Sequence, residues 1–187
     1  MKIRVASLLD HLRDVTLQVK TDASGSLANG GAARFMRKPT ADRWNAAECL
    51  EHLNRYGDFY LPLLEEATAA DHQTGGLESY RTGLLGGPFA KSMKLNEQGT
   101  VGRTMRSPKG WNPQGEPVRD NVLLEFLDQQ ERYLGVIEAA REVDIRTQRV
   151  PLSVFKSIKI SVGDMLQVLV YHNQRHMAQA MRASKGQ

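Results

Sequence analysis

Apolar residues recur at three- and four-residue spacings along four long segments of this chain, the period of helices that bury one face. The first segment covers roughly 3–20, with Val5, Leu8, Leu9, Leu12, Val15 and Val19 in one stripe. The second covers roughly 45–70 and carries Leu50, Leu53, Tyr56, Phe59, Tyr60, Leu63 and Leu64. The third, roughly 119–143, places Leu123, Leu124, Leu127, Leu134 and Ile137 on its apolar side. The fourth, roughly 161–184, has Met165, Leu166, Leu169, Met177 and Ala180. Asn45-Ala-Ala-Glu48 has the spacing of a capping box, and Ser161-Val-Gly-Asp164 is a looser version of the same start signal. Capping accounts for Glu48 and Asp164 without a role in chemistry.

The connections differ in length. Residues 21–44 contain a Ser/Gly-rich stretch, Ala23 to Gly31, followed by Pro39, and read as a loop. Residues 71–118 hold 9 of the 16 glycines and 4 of the 7 prolines. A connection of this length with only short helical turns, such as 88–95, implies a crossover between helices two and three that run parallel. The segment 144–160, with Val150, Val154, Phe155, Ile158 and Ile160, reads as a brief extended excursion. The pattern therefore predicts an all-α, up-down-down-up four-helix bundle with a long crossover between its second and third helices.

Length and composition narrow the class. A chain of 187 residues forms one domain over 1–187 with room for a full core. The formal charge of +4 is too mild to point to a nucleic-acid partner, and none is expected. Val5 to Leu9 is too short for a signal peptide core, and no apolar run approaches the ~20 residues that span a bilayer. A single cysteine, Cys49, forms no internal disulfide and suits a reducing compartment. The expected location is the cytoplasm, with no membrane association.

Candidate chemistry rests on histidines. His172 and His176 stand four apart, on one face of the fourth helix and one turn from each other. No Glu follows His172, which excludes the zinc-protease arrangement. His52 flanks the apolar face of the second helix. At ~1.5 Å rise per residue it lies ~10 Å from the start of that helix, while His176 and His172 lie ~12 and ~18 Å from the end of the fourth. Antiparallel packing of these two helices brings the three imidazoles to one level. Three neutral imidazoles leave coordination positions open, the pattern of catalytic rather than structural metal sites. An open position holds a water or a thiolate and activates it. Zinc, nickel, manganese and iron all suit the ligand type. His11 and His72 read as surface or helix-end residues, and Cys49 as a buried structural thiol. Arg81, Lys91, Lys94, Arg103, Arg106 and Lys109 make the crossover basic, a rim suited to an anionic ligand. Trp111 is placed to cover the cavity, and Trp44 to staple the start of helix two.

Trp44-Asn-Ala-Ala-Glu-Cys-Leu-Glu-His52-Leu53 resembles the second-helix motif of the DinB-like (DinB/YfiT-like) four-helix-bundle family. Ser161-Val-Gly-Asp-Met-Leu and Val170-Tyr-His-Asn-Gln-Arg-His-Met-Ala-Gln179 resemble its fourth helix, and the stretch Ser107-Pro108 to Pro113 is also similar. The resemblance covers about 40–184. It implies a divalent metal held by His52, His172 and His176 and, in many relatives, a homodimer. Characterised relatives include bacillithiol S-transferases and a mycothiol-dependent maleylpyruvate isomerase, which implies a low-molecular-weight thiol as cofactor and a small-molecule substrate. The expected activity is that of a metal-dependent thiol S-transferase or a hydrolase. The alternative is a metal-binding bundle without turnover, used for interaction or stress response. No catalytic side chain beyond the metal ligands is identifiable.

Overall fold

The computed structural model describes residues 2–69, 76–96, 98–100 and 106–187. It is mostly helical: α1 (Val5–Asp22), α2 (Gly31–Phe35), α3 (Ala46–Ala67), α4 (Gly86–Met93), α5 (Val122–Ala139) and α6 (Val162–Ser184). Two short antiparallel ladders complete it. β1 (Ile3–Arg4) pairs with β2 (Ser79–Tyr80), and β3 (Arg149–Pro151) pairs with β4 (Lys159–Ser161) in the register Val150 opposite Ile160.

Helix α3 packs on both α5 and α6, and α1 packs on the same two helices. The partners ascend together along α3 and α5. The Asn54 amide donates to the Val122 carbonyl, the Gln129 amide to Asp58, and the Arg132 guanidinium to Glu65. Along α3 and α6 the order is reversed, because His52 near the start of one meets His172 and His176 in the second half of the other. Gly57 permits the close approach of α5. A Cβ there would stand 1.9 Å from Gln129 Oε1.

Two expectations need correction. The Ser/Gly-rich stretch is not a loop at first. Ala23–Leu27 continues α1 as a wider π-helical turn, and Ala28–Gly30 as a 3-10 turn, before Gly31 breaks the path at φ 72°. The reason is burial: Ala23 and Leu27 extend the stripe of Val19 at four-residue steps and are buried, which outweighs the weak helix propensity of Gly and Ser. On α5 the buried face is turned from the expected one. Leu124 is 70% exposed, while Gln129 and Gln130 are buried beside Phe126, Tyr133 and Ile137. Their amides are satisfied inside, Gln129 by the Asn54 carbonyl and Asp58, Gln130 by Asn173 and the Phe126 carbonyl. In line with the helical turns expected near 88–95, the long connection carries α4 at Gly86–Met93. That helix packs against α6.

The connection is tied down at the base of α6. Ser161 caps that helix by accepting from the Asp164 backbone N–H. The Asp164 carboxylate does not complete a capping box. It accepts from the Gly83 N–H at 3.0 Å instead. At the start of α3 the box is complete, with Asn45 and Glu48 bonded both ways at 2.8 Å.

Candidate metal centre

The sequence determines where each histidine emerges. His52 follows the capped first turn of α3 by one further turn, and His172 and His176 succeed each other on α6. The structure brings them together. Ring centroids lie 4.6 Å apart for His52 and His176, 4.6 Å for His172 and His176, and 5.1 Å for His52 and His172. One ring nitrogen from each lies within 4.8 Å of the others.

The protons on these rings are set by neighbours. His52 donates its Nδ1–H to the Trp111 carbonyl at 2.6 Å, because a carbonyl oxygen only accepts. His176 donates its Nδ1–H to Gln179 Oε1 at 2.9 Å. Both rings therefore keep a lone pair on Nε2. His52 Nε2 lies 3.2 Å from His172 Nε2, and His172 Nδ1 is buried with no hydrogen-bond partner among the described residues. Burial holds all three rings neutral. It pushes His52 down to about 4, against the opposing pull of the Trp111 carbonyl. It also pushes His172 and His176 well below the ordinary histidine value, with each ring's histidine neighbours adding to the effect. Neutral imidazoles with converging nitrogens, two of them with acceptors behind, are a donor set suited to a divalent cation.

Around the trio stand aromatic rings. Trp44 lies 4.9 Å from His52 and 5.7 Å from His176, centroid to centroid, so it is a wall of the site. Tyr56, one turn beyond His52, lies 4.8 Å from His172, and burial pushes its phenol up to about 12. The Trp111 ring packs on Tyr56 and Phe59, and it is the Trp111 backbone that meets the histidines. Sequence reasoning missed Tyr56 as a site residue. Its four-residue spacing from His52 was the available signal. The Gln179 side chain, three residues after His176, was missed in the same way.

Two cavities meet at His176. One, of about 440 Å³, is lined by His52, Tyr56, His172 and His176 with mainly apolar side chains. The other, of about 380 Å³, reaches His176 and is also lined by Arg43, Arg175 and Arg182. Trp44, Ser107, Arg175 and His176 border both. Arg175 is buried and donates to the Ser92 carbonyl of α4 at 3.2 Å.

The other sequence candidates fall elsewhere. His11 is exposed on α1, 6.0 Å from the Tyr171 ring. Cys49 is fully buried among Leu50, Val19 and Phe126, and burial raises its thiol pKa. Lys94 lies over the Tyr171 ring, and Arg106 lines the apolar cavity. His72 and Arg103 lie outside the described residues.

Fold and trio together define a helical protein with three histidines placed to hold a metal ion. A family model described as the DinB superfamily matches residues 23–180, and the chain belongs to that superfamily. Comparison with curated proteins and with solved structures yields no match. Among the described residues, no helix is long and apolar enough to cross a membrane.

Proposed function

We propose that the protein is a divalent-metal-dependent transferase that joins a low-molecular-weight thiol to a small organic substrate, with His52, His172 and His176 as the metal ligands. The observation that carries this reading is the neutral imidazole trio facing an apolar cavity, with His176 also bordering a second cavity. A divalent ion held there supplies Lewis acidity, lowering the pKa of a thiol or of water near pH 7. The ion is one of zinc, nickel, manganese and iron, the metals that suit imidazole donors.

The protein's own groups favour thiol transfer over hydrolysis. Among the described residues that line the apolar cavity there is no carboxylate. A hydrolase benefits from a base within hydrogen-bond reach of its water, whereas a thiol needs only to lose its proton on binding. Tyr56, with its pKa up at about 12, stays protonated at neutral pH and donates a hydrogen bond to a substrate oxygen. Arg43 and Arg182 in the second cavity attract the carboxylates of a thiol. The same reading takes the chain as one domain, an up-down-down-up four-helix bundle of α1, α3, α5 and α6. The ascending α3–α5 pairs support that topology. A cytoplasmic homodimer belongs to the proposal as well.

The test is metal content by mass spectrometry on untagged protein, wild type beside His52→Ala. Near-stoichiometric metal that disappears in the variant is expected, followed by thiol consumption with electrophilic substrates. No metal in the wild type, even after incubation with zinc, nickel or manganese, overturns the reading.

A further inference from the structure

Exposed apolar side chains on this protein are gathered in one place. Of the eight large hydrophobic residues exposed among the described ones, five line the 440 Å³ cavity: Leu85, Phe89, Val154, Phe155 and Ile158. They come from two elements far apart in the sequence, the start of α4 and the β3–β4 hairpin. Neither position is an accident of a mobile tail. Helix α4 packs along α6. The hairpin is pinned to α3 by the Ser153 N–H, which donates to the Tyr60 hydroxyl at 2.7 Å. Inside this mouth Leu169 and Val168 extend the apolar wall to His172, one turn further along α6.

Five exposed apolar side chains on rigid elements keep water in contact with hydrocarbon, which stabilises nothing in the free protein. The cost is recovered when an apolar body fills the space. The volume falls within the ~300–1,000 Å³ typical of small-molecule sites. We infer that this cavity binds the apolar body of the substrate, an aromatic or medium-chain aliphatic molecule with no charge on that portion, whose reactive end reaches the three histidines. Sugars do not match such walls. The assignment rests on the metal-enzyme reading for the reaction, and on the cavity alone for binding.

The test uses the purified protein as it stands and an uncharged fluorophore, N-phenyl-1-naphthylamine. The protein's two tryptophans flank the site, so their emission reports occupancy independently. One probe is expected to bind per chain. Straight-chain alcohols from butanol to decanol are expected to displace it, each added methylene tightening binding about fourfold until the cavity is full. Phe89→Asp and Phe155→Asp, both at exposed positions the fold tolerates, are expected to weaken the probe about tenfold. Leu84→Asp, 96% exposed and outside the cavity, leaves binding unchanged.

Three results overturn the inference: no saturable binding, no dependence on alcohol length, or a Phe155→Asp protein that binds the probe as before while shifting from dimer to monomer in sedimentation. The last would make the mouth a contact between copies of the chain. Metal content is measured on the same samples. Probe binding without metal sinks the metal reading alone, and metal without probe binding sinks this one alone.

Discussion

The Nδ1–H of His52 is held by the backbone carbonyl of Trp111, 59 residues further on and 2.6 Å away. The strand of chain that supplies this carbonyl is itself clamped to α3. Arg55 Nη1 donates to the Asn112 carbonyl at 3.4 Å, and Arg55 pairs with Glu51 at 2.9 Å and Glu116 at 2.7 Å. Glu51 also pairs with Arg119 at 3.3 Å. The residue that precedes His52 therefore helps hold the acceptor that orients it.

Glu51→Gln tests that link. Glu51 is buried, and both of its arginines keep other partners in Glu116, Asp58 and Glu125. Because those arginines are partly exposed, the expected loss of stability is about 2 kcal/mol, less than for a fully buried pair. Urea unfolding measures it. A positioning role adds weaker zinc binding in the folded protein, which a purely structural role would not produce.

Gln179→Leu removes the acceptor behind His176 while keeping side-chain bulk. Loss of such an outer partner costs about 10- to 100-fold in metal affinity. Competition with a chromophoric zinc chelator reads this directly. Unchanged affinity would show that the Gln179 hydrogen bond does not prepare the ring.

The metal-free protein is expected to lose stability as pH falls. An unfolded histidine titrates near 6.5, whereas folded His52 takes a proton only near about 4, and His172 and His176 are also depressed. Between these values the unfolded chain binds more protons, so stability present above about pH 6.5 drains away on acidification. Urea midpoints from pH 7.5 to 5 are compared for wild type and His52→Asn. The variant's curve is expected to be flatter, and superimposable slopes would refute the claim.

Gly86→Ala is expected to loosen the crossover. A Cβ at this position would stand 2.3 Å from the Asp164 oxygen that Gly83 also binds. Destabilisation of about 1–3 kcal/mol is expected from overpacking, with faster proteolysis between 76 and 93. Pairing it with Asp164→Gly, which removes both the carboxylate and the Asp164 Cβ 2.4 Å from the added methyl, relieves the clash, so the double variant is expected to lose less than the sum of the two single losses. Strict additivity would place the fault elsewhere.

Much of this protein follows from local chemistry. Periodicity of apolar residues marks α1, α3, α5 and α6 because a helix must bury one stripe, and that rule acts within a few residues. The i, i+4 spacing of His172 and His176 fixes their common face, and the rise per residue brings His52 level with them. What the sequence could not reveal depends on partners far along the chain. Gln129 and Gln130 are inside and Leu124 outside because α3 and α6 offer amide partners there, which no local pattern encodes. The Trp111 carbonyl meets His52 across a sequence separation of 59, and a backbone acceptor leaves no mark in composition. The apolar mouth likewise exists only where α4 and the hairpin converge. The sequence by itself determined the helices and the metal-ligating faces, whose causes are local. The tertiary structure alone decided which nitrogens face inward and what lies in front of them, since those depend on contacts made at long range.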